Sequence, residues 1–200
     1  MAGLPSFCGQ TGNAGKARFQ GFEAEANARI GGGFSLSGTL GYIDAKFLEY
    51  VSLINGRATN VAQFRRVQNT PEFTSSATAA YTTPIGEGRI DASATWSYRS
   101  KTYQFEIPNP FIDQPGYSLF DANLVYRAPG GLWSLGLHGK NLFDKQYKTS
   151  GYVFIAGDPT TGVPTRNAAG NVIPSLGREG TLTAFYGNPR QIFGTLTLNF

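Results

Sequence analysis

Residues 90–99 read Ile-Asp-Ala-Ser-Ala-Thr-Trp-Ser-Tyr-Arg and alternate without a break. Ile90, Ala92, Ala94, Trp96 and Tyr98 are apolar or aromatic, while Asp91, Ser93, Thr95, Ser97 and Arg99 are polar. Such period-two patterning makes a strand with one greasy face and one wet face. Strands of soluble proteins usually run about 5–6 residues, whereas a tilted strand crossing a bilayer needs about 9–11. The aromatic end of the greasy face is where a membrane interface holds such rings. The segment therefore predicts a transmembrane β-barrel, which removes the edges an open sheet would leave unpaired in lipid.

The pattern recurs. Strands are expected over about 16–29, 34–47, 72–82, 90–103, 117–127, 132–147 and 190–200, with apolar positions such as Phe22, Leu36, Ala79, Leu124, Leu137 and Leu196 sharing one side. The fold class is thus all-β: an antiparallel transmembrane β-barrel segment of about seven strands. Connections alternate in length. Short Gly- and Pro-rich turns (31–33, 84–88, 128–131) alternate with long loops at about 48–71, 104–116 and 148–189. Bacterial outer-membrane barrels sort short turns to the periplasm and long loops outside. On that map two aromatic girdles appear: Phe34, Tyr81, Tyr126, Trp133 and Phe200 at the inner level, and Tyr42, Phe73, Trp96, Tyr98 and Phe120 at the outer level. A soluble barrel with its apolar face turned inward is the fold alternative, because alternation does not distinguish inside from outside.

Composition narrows the function. The 200 residues include 26 Gly, 10 Tyr and 15 Phe but are 15% charged, as suits a barrel wall. No apolar run reaches the roughly 18 residues of a membrane helix. The net charge of +4 is scattered, with Arg65-Arg66 the one adjacent basic pair, so nucleic acid is not an expected partner. Cys8 is the single cysteine, and no His/Cys cluster, phosphate loop or nucleotide fingerprint occurs, so neither a metal nor a cofactor is expected. His138, the single histidine, is expected to face the lumen. Ser134 lies about 13 Å from it along the strand, too far for a nucleophile–base pair. Glu23 and Glu25 read as lumen wall charges rather than a hydrolase pair. Hence no catalytic residues are assigned. The start, Met-Ala-Gly-Leu-Pro-Ser-Phe-Cys, lacks the basic start and apolar core of a signal peptide, and a part of a longer protein is expected. Residues 1–13 read as an irregular lead-in and 14–200 as the barrel segment.

Four pieces carry a resemblance: Gly21-Phe22-Glu23-Ala24-Glu25; Leu40 to Phe47 followed by Asn69-Thr70-Pro71; Gly139-Lys140-Asn141-Leu142-Phe143-Asp144-Lys145-Gln146-Tyr147; and the last strand after Gly187-Asn188-Pro189-Arg190. Together they resemble the C-terminal part of a TonB-dependent receptor, an outer-membrane transporter. The resemblance implies a 22-strand barrel with an N-terminal plug, taking up iron–siderophore complexes or similarly scarce nutrients. Contact with TonB would come only through that plug, which this chain lacks. The implied partners are outer-membrane lipid, the barrel assembly machinery and a small-molecule ligand. The terminal strand residues Leu196, Leu198 and Phe200 resemble the assembly signal. Arg65, Arg66, Tyr103, Phe105, Tyr152 and Phe154 stand where the family holds ligand, and basic and aromatic groups suit an anionic metal chelate. The functional alternatives are a passive, porin-like outer-membrane wall or an outer-membrane hydrolase.

Overall fold

A computed structural model of the protein describes residues 15–175 and 182–199. The expected lead-in 1–13, Cys8 and Phe200 lie outside them. Among the described residues ten strands form: β1 Gly15–Gly31, β2 Phe34–Ile54, β3 Arg57–Asn60, β4 Phe73–Ile85, β5 Gly88–Arg99, β6 Tyr117–Arg127, β7 Trp133–Lys140, β8 Lys148–Val153, β9 Leu182–Tyr186 and β10 Gln191–Leu198. Seven of them make an antiparallel wall in the order β1-β2-β4-β5-β6-β7-β10, to which β3 adds at β2. Each expected strand has its counterpart in the wall. The sheet is open, with β1 and β10 at its edges.

The cross-strand register confirms a single greasy face. Phe22 pairs with Tyr42 and Tyr42 with Phe73; Leu36 pairs with Ala79, Ala79 with Ala94, and Ala94 with Ala122. Leu124 pairs with Leu137, and Leu135 with Leu196. The opposite face is stitched by hydroxyl contacts: Thr39 with Ser76 at 2.7 Å and Thr78 with Thr95 at 2.9 Å. On the greasy face Leu36, Leu40, Leu124, Leu135, Leu137, Ile192, Leu196 and Leu198 are all exposed. At roughly 1 kcal/mol for each half-exposed branched chain, water contact there would cost about 8 kcal/mol, as much as a typical domain's whole stability. An apolar surrounding removes that cost, which favours the lipid-facing assignment over an inward core.

The girdles are real contacts. At the inner level Phe34 lies 4.2 Å from Tyr81 and Tyr126 lies 5.3 Å from Trp133, centroid to centroid. At the outer level Tyr42 lies 4.8 Å from Phe73, and Trp96 stacks beside Tyr98.

Three boundaries differ from expectation. β2 continues to Ile54 and folds back as β3 through Asn55-Gly56, whose φ values of +51° and +79° make the tight turn that matches strand twist. β5 stops at Arg99, short of the expected 103. β7 stops at Lys140, short of the expected 147, because Asn141 turns left-handed at φ +48°. Its side chain accepts from Lys145 N and donates to the carbonyls of Lys145 and Asn188, while its own N–H donates to Asp121. Leu142 thereby folds over Gly139 on the greasy face, and Phe143 meets Phe120 edge-on at 4.9 Å. Asp144 accepts from Arg190 N, clamping the turn to the entry of β10. The Asn-Leu-Phe-Asp run is thus a hydrogen-bonded knot, with Asn141 buried and Phe143 exposed, that ends one strand and aims the last.

Candidate functional site

The long loops do not hang free. They pack into a cap beyond the outer girdle. Residues 61–69 run beside 100–106 through Arg66 N to Glu106 O, Asn69 N to Tyr103 O, and a 2.7 Å bond from Gln68 Nε2 to Glu106 Oε2. Residues 102 and 114 form a bridge. The 148–189 segment, expected as irregular loop, contains the hairpin β8–β9, prolonged by bridges at Ile155–Pro174, Gly157–Pro164 and Arg166–Val172. Gln114 accepts from Lys148 N at 2.7 Å, and Lys148 Nζ donates to Phe111 O, tying the hairpin to 100–116. Ile112 and Val61 are fully buried here, with Ile112 packed against Gly151.

The cap buries polar groups as well. The carboxylate of Asp113 accepts from Gln104 N and Asn109 N; burial still pushes it above the ordinary carboxylate value. Asp158 sits in a tighter anion nest: Thr161 N, Thr161 Oγ1 and Thr160 N all donate to its Oδ1. Those bonds, led by the Thr161 amide, hold its pKa below the ordinary value. Between 105–109 and 153–162 lies a cavity of about 300 Å³, lined mainly by Phe105, Ile107, Val153, Ile155 and Pro159.

The six residues singled out from sequence fall into four groups. Arg65 is buried, 4% exposed, and donates to the carbonyls of Thr160 at 2.8 Å and Pro159 at 3.4 Å, with its guanidinium over Tyr50. It braces one loop against another. Arg66 remains exposed, and its guanidinium lies 5.8 Å from the ring centre of Tyr103; Lys101 Nζ lies 4.6 Å from the same ring. Phe105 faces the cavity. Tyr152 and Phe154 lie parallel, 6.5 Å apart, and Phe185 meets Tyr152 edge-on at 6.1 Å.

Lys101 and Phe185 escaped the sequence reading. Lys101 stands two residues before Tyr103, the spacing that puts side chains on one side of an extended chain. Phe185 alternates with Thr183, but a five-residue strand inside a long loop is too short to register. His138 does face the lumen: Nδ1 lies 2.9 Å from Asn123 Oδ1 and Nε2 lies 3.0 Å from Thr195 Oγ1, with Phe193 stacked at 5.0 Å. Asn123 continues to Ser93 Oγ at 3.2 Å, so this is a cross-strand polar ladder spanning β5, β6, β7 and β10. Leu196 and Leu198 are exposed on the greasy face of β10.

Residues 2–142 match the family described as "TonB dependent receptor-like, beta-barrel". The ferric-pyoverdine M114 receptor PbuA of Pseudomonas sp. strain M114 is 32% identical over 152 residues, covering 74% of this chain and 18% of the receptor. The metal-pseudopaline receptor CntO of Pseudomonas aeruginosa is 29% identical over 161 residues, covering 78% and 21% respectively. The ferric yersiniabactin uptake receptor FyuA from Yersinia pestis shares the fold at a TM-score of 0.68 and 19% identity, over 94% of this chain and 24% of FyuA. The chain spans about a fifth of the length of the curated relatives it matches.

Proposed function

This chain belongs to the TonB-dependent receptor β-barrel family of Gram-negative outer membranes, and from that premise we propose that it supplies the C-terminal strands of a receptor taking up a metal-chelate nutrient. Residues 14–200 constitute the barrel segment, about seven strands of a 22-strand wall, and 1–13 lead into it. Seven antiparallel strands leave two rows of unpaired amides, which hydrocarbon does not tolerate, so β1 and β10 require neighbours. A plug outside this chain would carry the contact with TonB. The greasy face of the last strand, with Leu196 and Leu198, offers the assembly machinery an amphipathic edge on which to pair, and the assembly signal includes Phe200, outside the described residues.

The observation that carries the ligand reading is the pair of cations, Arg66 and Lys101, over the single ring of Tyr103 in the cap. Two positive charges beside an aromatic face attract an anionic, ring-bearing chelate. The parallel rings of Tyr152 and Phe154 add a second stacking surface. Arg65 supports the site by holding the 159–160 backbone, and Phe105 supports it from the cavity wall.

Equilibrium binding of ferric chelates to the complete receptor tests this. Replacing Arg66 and Lys101 together by Ala should weaken an anionic ferric chelate by at least about 10-fold, since two charge-assisted contacts are lost. A cationic chelate should gain or stay unchanged. Unaltered affinity for the anionic chelate in the double variant refutes the site.

A further inference from the structure

Above the outer girdle the wall turns itself inside out. Up to the row Phe22–Tyr42–Phe73, the side that carries Ala24, Ala26, Leu36 and Leu40 is apolar. The next positions on that same side are Gln20 and Arg18 on β1, paired with Asp44 and Lys46 on β2. The opposite side changes in the reverse sense, with Phe19 paired to Ala45 and Ala17 to Phe47. No register shift intervenes between Ala17 and Arg29, so the switch lies in the sequence and not in a bulge.

That switch locates the membrane surface. Outward ions do not sit in acyl chains, so the hydrocarbon ends at the aromatic row. Lys46 lies four residues beyond Tyr42, about 13 Å along the strand and roughly 10 Å higher once strand tilt is included. Long basic side chains reach back toward the interface from there. Arg18 and Lys46 therefore stand outward at the depth of lipid headgroups, where phosphates lie.

Their arrangement suits a phosphate. Asp44 Oδ2 takes Arg18 Nη2 at 2.6 Å and Lys46 Nζ at 3.4 Å, so one carboxylate oxygen gathers both cations. The side chains of Arg18 and Lys46 remain 40% and 50% exposed, and the trio keeps a net positive charge. A guanidinium fork beside an ammonium offers a phosphate both a bidentate partner and a point charge. We infer that Arg18 and Lys46, organised by Asp44, form an outward clamp for the phosphate of an outer-leaflet glycolipid headgroup. The clamp lies on the outside of the wall and does not depend on the ligand site in the cap.

The test uses the complete barrel in neutral detergent, titrated with bisphosphorylated lipid A, with the same lipid enzymatically dephosphorylated, and with inorganic phosphate. Wild type should prefer the bisphosphorylated lipid. Arg18→Ala with Lys46→Ala should weaken it about 25-fold, at roughly 5-fold per surface cation, and leave the dephosphorylated lipid unaffected. Arg18→Lys with Lys46→Arg should stay within about 3-fold of wild type, because the exchange keeps one guanidinium and one ammonium beside Asp44. Should the double Ala variant not fold, wild type alone decides: moving from 50 to 500 mM salt should erase most of the preference, as screening of exposed charges demands, on the order of the change in Debye length. Equal binding by the double Ala variant, equal binding of the two lipids by wild type, or a salt-independent preference each overturns the clamp. Inorganic phosphate binding as tightly as the lipid overturns its assignment to a headgroup.

Discussion

The wall and the cap invert each other. In the wall, branched apolar side chains such as Leu124 and Leu196 are half or more exposed. In the cap, Arg65, Thr102, Gln104, Asn109, Asp113 and Gln114 are buried around Val61 and Ile112. The wall satisfies its backbone with an antiparallel ladder and leaves its side chains to the surroundings. The cap has short strands and irregular segments, so side chains must supply the partners its backbone lacks, as Asp113, Asp158 and Arg65 do. Burial therefore tracks the medium each region meets: hydrocarbon beside the wall, water around the cap.

The sharpest break of this contrast is a pair of truncations. Ile112→Ala should cost the cap about 2–5 kcal/mol, because a closed pocket loses its filling. Leu124→Ala should cost the wall less than about 1 kcal/mol, because acyl chains fill the gap that protein atoms fill elsewhere. Hydrogen exchange of cap and wall amides in the complete barrel, in lipid, reads both. Equal losses would mean that Leu124 is a core residue and the soluble-barrel alternative holds.

Charge sharpens the contrast next. Leu124→Arg should destabilise the lipid-embedded barrel by about 2–4 kcal/mol if it lies near mid-membrane, whereas Asn123→Arg, one residue away and lumen-facing, should cost under about 1 kcal/mol. Unfolding titrations in lipid vesicles measure the difference. A reversed order would exchange the two faces of every strand.

The smallest effect is pH-dependent and confined to the cap. The pKa of Asp158 is depressed, so its stabilisation is present above the ordinary value of 3.8 and is lost as pH falls through the lower, folded value. The pKa of Asp113 is raised, so its stabilisation is full only below 3.8 and is lost as pH rises through the higher, folded value. Acidification should thus loosen the 158–162 turn while relieving the 104–113 loop. Amide protection of Thr161, corrected for intrinsic exchange, should fall toward pH 3, and Asp158→Asn should abolish that pH dependence. Unchanged protection at Thr161 would remove the anion nest from the account.

Much of the wall was legible because period-two alternation is a local property. Ile90 to Tyr98 needs no distant partner to declare its two faces, and the alternation of turns with loops declared the up-and-down order. The Asn55-Gly56 turn is equally local in origin, but 48–71 reads as a loop from sequence and the short β3 emerges only in the structure. The cap was not legible in the same way. Arg65 and Arg66 are neighbours of identical chemistry, yet one braces the distant carbonyls of Thr160 and Pro159 while the other donates to the nearby carbonyls of Gln63 and Arg65 and lies exposed over Tyr103. The local sequence does not single out Arg65, since the carbonyls that hold it lie 94 and 95 positions away.

The amino-acid order by itself determined the strand faces and the girdle levels, because each follows from backbone geometry and side-chain polarity over a few residues. The three-dimensional arrangement alone decided that Arg65 is tied to the carbonyls of Thr160 and Pro159, that the chain turns at Asn141 against Asp121 and Asn188, where the cavity lies, that Phe143 joins the outer girdle, and that Arg18 and Lys46 meet on Asp44. Those outcomes depend on which strands become neighbours and at what register, and pairing between distant segments is a property of the whole sheet.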